Sequence, residues 1–248
     1  MNELCVDVIL LDWGGTLARV ARQIEAWQRG AQAACDVFAR HGRSHPEAAA
    51  KLAETILTAE QRADADPAHI EVDARNVLAA WVSACGWEPP PEAAGTEALD
   101  AFGTHWIGCL DPLPGALEAV KTLRQRGYRL GLASNCWTPE AFCHAELRRH
   151  GFDTHLHAVT FSCEVGYRKP SPRFYRTALC NVTANGSPPP AERVLFVGDS
   201  LRCDVVGPAA LGMRTAWIAD PTAAMPSPQP DVCVRSVAEL LEHLPGPA

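Results

Sequence analysis

Positive charge is in short supply in this 248-residue chain: 22 Lys and Arg stand against 29 Asp and Glu, a net charge of −7 at pH 7. Without a basic surplus to neutralise phosphates, the composition argues against nucleic acid as a partner. It does not exclude a phosphorylated small molecule, because one bound cation inverts the local field. Long apolar runs are also missing. The first, Val6 to Leu11, has no Lys or Arg before it and is too short for a secretion signal or a membrane span. A cytoplasmic location with no membrane partner is therefore expected. Ten cysteines are present, but no CxxC pair occurs among them. That scatter argues against a metal cluster, and without a secretion signal the expectation is small buried thiols in a reducing compartment. No internal repeat is visible, and the biased segments are Pro-rich surface loops at Asn185–Pro190 and Pro221–Pro230.

Hydrophobic residues at 47% and charged residues at 21% are ordinary for a globular protein, and the length suits a core plus an insertion. Residues 5–11 read as a buried strand. From Val20 the period becomes helical, through Ile24, Trp27, Ala31, Ala34 and Phe38, until His41-Gly42 stops it. Ser44-His45-Pro46-Glu47 has the form of a capping box opening a second helix through Leu52 and Ile56. A third helix carries Val77, Leu78, Trp81 and Val82 to Gly86, and a fourth follows Pro89-Pro90-Pro91 as far as Trp106. Residues 18–110 are thus read as almost purely helical.

From Leu113 onward strands and helices alternate. Strands are expected at Tyr128–Ala133, His157–Phe161, Arg193–Val197, Thr215–Ile218 and Val232–Val234. Helices are expected at Phe142–His150, Pro172–Leu179, Val205–Leu211 and Val237–Leu244, with one opened by Pro114-Gly115 and closed by Gly127. Such alternation means a parallel sheet covered on both faces, to which the first strand also belongs. The fold class is α/β: a parallel-sheet core interrupted by a helical insertion.

In a parallel sheet, functional groups collect at the carboxyl ends of the strands. Strand one ends in Asp12 and Thr16, and Gly131-Leu132-Ala133 leads into Ser134-Asn135. Lys169-Pro170 follows the third strand, and Leu195-Phe196-Val197 leads into Gly198-Asp199-Ser200 with Asp204 beyond. Asp12 is placed as a nucleophile or metal ligand, and Asp199 can join it around a hard cation, which takes oxygen ligands. Ser134, Asn135 and the Lys169 ammonium could grip a phosphoryl or carboxylate group and neutralise charge that develops during displacement.

These four motifs, in this order, resemble the haloacid dehalogenase-like (HAD) hydrolase superfamily: Asp12-x-x-Gly15-Thr16-Leu17, Ser134-Asn135, Lys169-Pro170-x-Pro172, and Gly198-Asp199-Ser200 with Asp204. The insertion sits where the family's C1 cap sits. The resemblance implies a Rossmann-like core of residues 1–17 and 111–248 and a cap of residues 18–110. It implies that Asp12 attacks the substrate to give a covalent aspartyl intermediate. Mg²⁺ would be held by Asp12, the main-chain carbonyl of Gly14 and Asp199, with Asp204 supporting the metal through water or holding the loop. Ser134 and Lys169, with Thr16 and Asn135, would bind the transferring group, and Lys169 would also restrain Asp12. The implied substrate is a small phosphorylated metabolite.

One departure stands at Gly14, where family phosphatases usually carry a second Asp that protonates the leaving group. Help of that kind is typically worth ~10²–10⁴-fold. An acid supplied by the cap, or a good leaving group, would make up for it. A 2-haloacid dehalogenase needs no such proton, but that branch needs no metal and typically loses the carboxylate kept here as Asp199; Arg19 and Arg22 are its loose candidates for a cap-side arginine. A phosphonatase would need a cap lysine, for which Lys51 is the sole candidate. A non-catalytic binding module is the reading from another class, and the retained Asp12, Lys169 and Asp199 argue against it. Gly198-Asp199-Ser200-Leu201 also spells a serine-esterase block. Its partner Asp66-Pro67-Ala68-His69 lies upstream rather than downstream, so Ser200 is not taken as a nucleophile. Arg168 reads as a surface charge, with a substrate contact as the alternative, and His155 and His157 read as structural.

Overall fold

The chain is described from a computed structural model covering residues 4–20, 23–183, 188–219 and 227–246. Arg22, the start of the loop at Asn185 and residues 221–226 of the second Pro-rich loop lie outside the described residues. Strand β1 (Val8–Leu11) is followed by β2 (Ala18–Val20), helices α1 (Gln23–Arg40), α2 (Ala48–Ala65), α3 (Ala74–Ala84) and α4 (Glu92–Trp106), and β3 (Leu110–Pro112). The alternating part begins with α5 (Ala116–Gln125), β4 (Arg129–Ser134), α6 (Glu140–Arg149), β5 (Ala158–Phe161), α7 (Ser162–Val165) and α8 (Pro172–Val182). It ends with β6 (Val194–Gly198), a π-helical turn at Leu201–Val206, α9 (Gly207–Ala209), β7 (Arg214–Ile218), β8 (Val232–Val234) and α10 (Val237–Leu240).

Six strands form one sheet in the order β5-β4-β1-β6-β7-β8, and every pairing in it is parallel. This is the Rossmann-like α/β arrangement that the strand–helix alternation requires. The apolar run of β1 is explained by its central place, because both of its faces are covered. Ile9 and Leu11 join the α5, α6 and α10 side, with Val120, Leu123, Leu147 and Leu240. Val8 and Leu10 join the α8 side, with Phe174, Tyr175, Ala178 and Val182. Since the chain leaves β1 for β4 on one side and reaches β6 on the other, the strand order reverses at β1. That reversal opens a crevice at the carboxyl ends.

Helices α1 to α4 pack a core of their own around Phe38, Leu52, Ile56, Val77 and Trp81. Phe38 meets Trp81 edge-on at 5.0 Å and stacks on Trp87 at 5.2 Å, while the buried Trp81 indole donates to the Ala48 carbonyl at 2.8 Å. Trp137, in the loop after β4, reaches this cluster and lies 6.1 Å from Phe102. The insertion leaves and rejoins the core through an antiparallel ribbon in which Ala18 pairs with Pro112 and Val20 with Leu110. The sequence reading missed this ribbon, because three-residue strands carry too little periodicity to register.

Three other expectations need correction. The Ser44 capping box does not form: α2 opens at Ala48 behind Glu47, which makes no side-chain cap, and the Glu47 N–H is taken by His45 Nδ1 at 3.1 Å. The helix expected from Val205 begins four residues earlier in a π-helical turn, because Ser200 caps the Cys203 N–H and Asp204 turns back on Ser200. The closing helix stops at Leu240 rather than Leu244. The thiols are also less uniformly buried than expected. Cys85, Cys109 and Cys143 are buried, Cys5 and Cys180 are exposed, and the others are half-buried.

Trp81→Ala is expected to cost about 3–5 kcal/mol, the usual range for emptying an aromatic core site. Urea unfolding followed by far-ultraviolet circular dichroism reads this, and a loss below about 1 kcal/mol would contradict a cap core built on that ring.

Candidate active site

The first motif is shaped by its turn. The Asp12 N–H donates to the Val197 carbonyl at 2.9 Å, pinning the residue against β6 where β1 ends. The Trp13 carbonyl then gathers the N–H groups of Leu17 at 2.9 Å and Ala18 at 3.0 Å. Gly15 sits at φ +77°, and a Cβ there would lie 2.1 Å from Asp199 Oδ2. Only glycine lets the motif-one loop approach Asp199 so closely. Gly198 does the same for Asp204, whose carboxyl carbon would sit 2.2 Å from an added Cβ.

Lys169 is buried between two carboxylates, with Nζ 2.7 Å from Asp12 Oδ1 and 2.8 Å from Asp204 Oδ1. Its main chain is bracketed by Asn135, whose Oδ1 accepts the Lys169 N–H at 2.7 Å and whose Nδ2 donates to the Lys169 carbonyl at 3.3 Å. Asn135 is therefore committed to holding Lys169 rather than free to grip a ligand. Asp204 is engaged on both oxygens, since Oδ2 accepts the Ser200 N–H at 2.9 Å.

Asp12, Asp199 and Asp204 each bring a carboxylate oxygen within 4.8 Å of the others, a set that could hold a metal ion. Two buried carboxylates and the more exposed Asp199 outnumber one ammonium and leave net negative charge, and the donor set is all oxygen, as a hard cation requires. The electrostatics agree. Burial raises Asp199, and repulsion from Asp12 adds to it. Burial pushes Asp204 up to about 7; Lys169 works to lower it and Asp12 to raise it. For Lys169, burial works to lower the ammonium, but Asp12 and Asp204 outweigh it and the group ends above its ordinary value.

A cavity of about 350 Å³ opens over this cluster, and Asp12, Gly14, Ser134, Asn135, Lys169, Asp199 and Asp204 all line it. Thr16 does not: it is buried, and its hydroxyl finds no hydrogen-bond partner among the described residues. A larger groove of about 720 Å³ lies between α2 and α3, and it contains Lys51 but none of the four motifs. Arg19 is exposed on β2 and does not line the cavity over the cluster. Ser200 serves as a cap, its hydroxyl accepting the Cys203 N–H at 3.3 Å. Asp66 accepts the N–H groups of Ala68 and Ile70 within its own loop. His157 is structural, with Nδ1 accepting the Leu130 N–H at 3.0 Å.

Two features were missed. Arg168 is not a surface charge: its side chain is 12% exposed, lines the cavity, and reaches Asp64 at 3.3 Å and Glu71 at 3.5 Å on the insertion. The same junction is sewn by main chain, with the Arg168 N–H donating to the His69 carbonyl at 2.9 Å and the Glu71 N–H to the Gly166 carbonyl at 3.1 Å. Its place beside Lys169 was the available signal. Glu146, a buried carboxylate on α6, also lines the cavity and accepts the Gly108 N–H. No motif spacing marked it.

The raised carboxyl of Asp204 fixes the sign of a pH effect. Asp204 holds its proton more tightly folded than unfolded, so the metal-free chain loses stability as pH rises from the ordinary carboxylate range to about 7. A divalent cation competes with that proton, so its stabilisation should grow over the same window. Melting temperatures at pH 5 and 8, with and without Mg²⁺, check this; equal metal shifts at both values would contradict it.

The sequence matches the family model for haloacid dehalogenase-like hydrolases over residues 6–212. It is 30% identical over 119 residues to the pyrimidine 5'-nucleotidase YjjG of Escherichia coli (48% of this chain, 50% of that protein). It is 32% identical over 117 residues to a glyceraldehyde 3-phosphate phosphatase of Pyrococcus abyssi (47% and 46%). The chain thus spans about half the length of the curated relatives it matches. In fold it is similar to a HAD phosphatase from Thermococcus onnurineus, at TM-score 0.64 and 20% identity over 98% of this chain and 99% of that one. It is likewise similar to a 2-haloacid dehalogenase from Pseudomonas syringae, at TM-score 0.68 and 21% identity over 96% and 97%. With the match running from strand β1 through all four motif positions, this chain belongs to the haloacid dehalogenase-like hydrolase family.

Proposed function

We propose that the chain is a Mg²⁺-dependent phosphatase of a small phosphorylated metabolite, working through an aspartyl-phosphate on Asp12. The observation that carries this reading is the Lys169 bridge: it engages Oδ1 of Asp12 and leaves Oδ2 to attack. Oδ2 bonds to phosphorus as the bond to the leaving oxygen breaks, and water then attacks phosphorus to free phosphate and restore Asp12. Ser134 and the Lys169 ammonium bind the phosphoryl oxygens, while Asn135 positions Lys169. Asp12, Asp199 and the Gly14 carbonyl would hold Mg²⁺ with Asp204 in support, and the ion would supply positive charge to offset charge on those oxygens. The acidic cluster supports a metal-dependent reaction over a dehalogenase, and Lys51, in a separate groove, does not support a phosphonatase. The names of the two sequence relatives, a nucleotidase and a phosphatase of a small phosphorylated metabolite, point the same way.

The leaving oxygen needs a proton that Gly14 cannot give. Asp64, carried to the cavity by α2 and tied to Arg168, is the insertion's carboxylate that takes that role in this reading. Nothing lies within 4 Å of a Cβ added at Gly14, so the usual carboxylate would fit there.

On an activated aryl phosphate, turnover should require Mg²⁺, and Asp12→Asn should lower it by roughly a thousandfold or more. Unchanged turnover in that variant sinks the proposal. Asp64→Asn should slow alkyl phosphates by up to ~10²–10⁴-fold and aryl phosphates far less, because only the poor leaving group needs the proton. Gly14→Asp placed in the same chain should recover the alkyl rate, and equal losses on both substrate types would remove Asp64 from the role.

A further inference from the structure

Besides Cys203, whose thiol donates to the Lys169 carbonyl at 3.6 Å, three thiols gather beside the cavity, and the proposed chemistry uses none of them. Cys136 follows Asn135 in the loop after β4, Cys143 lies in α6, and Cys163 lies in α7. The Sγ atoms of Cys136 and Cys143 are 2.7 Å apart, and the Thr138 hydroxyl sits 2.9 Å from the first and 3.3 Å from the second. Both line the cavity wall, so a small solute that enters the cavity meets them. Their loop is tied down on its far side: the Cys136 N–H donates to the Ser162 hydroxyl at 2.7 Å, and the Cys163 N–H to the Cys136 carbonyl at 3.1 Å.

We propose that Cys136 and Cys143 form an oxidisable pair in the cavity wall, which closes to a disulfide when peroxide enters and switches the site off. The Cys143 thiol donates to Cys136 and, helped by Thr138, holds the Cys136 thiol below its ordinary value despite burial. Cys143, facing the Cys136 and Cys163 sulfurs, is held above its own. Cys136 is therefore the attacking sulfur. Its thiolate bonds to one peroxide oxygen as the O–O bond breaks, giving a sulfenic acid and a hydroxide that leaves as water. The Cys143 sulfur then attacks that sulfur: the S–S bond forms, the S–O bond breaks, and hydroxide departs with the thiol proton as a second water. Two thiols and one peroxide become one disulfide and two waters, and a dithiol reverses the change.

The coupling to the site runs through one peptide bond. Asn135, adjacent to Cys136, brackets the main chain of Lys169, and Lys169 holds Asp12. A displacement of about 1 Å at such a point costs on the order of 10²-fold in rate. The switch rests on the hydrolase reading above, whereas the disulfide does not.

The test uses the full reduced chain, treated with hydrogen peroxide, alkylated under denaturing conditions and cut with trypsin. Peptide Leu130–Arg148 contains Cys136 and Cys143 and no other cysteine. It is expected to lose two hydrogens and resist alkylation. Turnover of an aryl phosphate should fall at least about tenfold and return with dithiothreitol. In Cys143→Ala, Cys136 has lost its partner and should gain oxygen instead. Full alkylation of both cysteines, a bond from Cys136 to Cys163, or an unoxidised Cys136 in the variant would overturn the pair. A disulfide that leaves turnover unchanged would overturn the switch while leaving the phosphatase reading intact, and absent turnover in the reduced chain would count against that reading alone.

Discussion

Lys169 carries its charge into a place where almost no water reaches, and it can do so only because Asp12 and Asp204 stand on either side of it. A buried ion triad of this kind contributes little net stability, because desolvation consumes most of the attraction. What it gives is geometry. It fixes one oxygen of Asp12 and ties the end of β1 and the π-helical turn after β6 to the segment that follows α7. The rest of the core follows from keeping that contact: glycines at 15 and 198 let the loops close on carboxylates, and the π-helical turn after Ser200 swings Asp204 back onto Lys169.

The insertion completes what the core leaves open. Ribbon β2–β3 ties it on one side, and Arg168 grips Asp64 and Glu71 on the other. Because Arg168 neighbours Lys169 in the chain, the contact with the insertion and the contact with Asp12 lie on adjacent residues. With no carboxylate at Gly14 in the opening turn, Asp64 is a carboxylate that the insertion brings to the same cavity.

The fold was legible because a doubly covered parallel sheet writes itself as apolar runs ending in polar turns. Asp12, Ser134 and Asp199 could be placed at strand ends from that pattern, and Lys169 in the segment that follows a strand. Contacts that join distant segments were not legible. Nothing in the spacing of Asp64 and Arg168 announces their pairing, and a short ribbon such as Ala18–Val20 has no period to detect. Ser44-x-x-Glu47 shows the opposite failure. The letters suited a cap, but the local backbone gave that donor to His45. Asn135 was seen in the right place but assigned to a ligand, because only the coordinates show that the Lys169 main chain occupies its amide.

The proposed hydrolysis turns on Asp12 bonding to phosphorus. Rapid acid quench of the chain during turnover of an aryl phosphate, followed by peptide mass spectrometry, tests it most directly. The account requires an alkali-labile phosphoryl group on the peptide that contains Asp12. A phosphoryl group on Ser134 or Ser200, or steady turnover with no modified peptide, would contradict it.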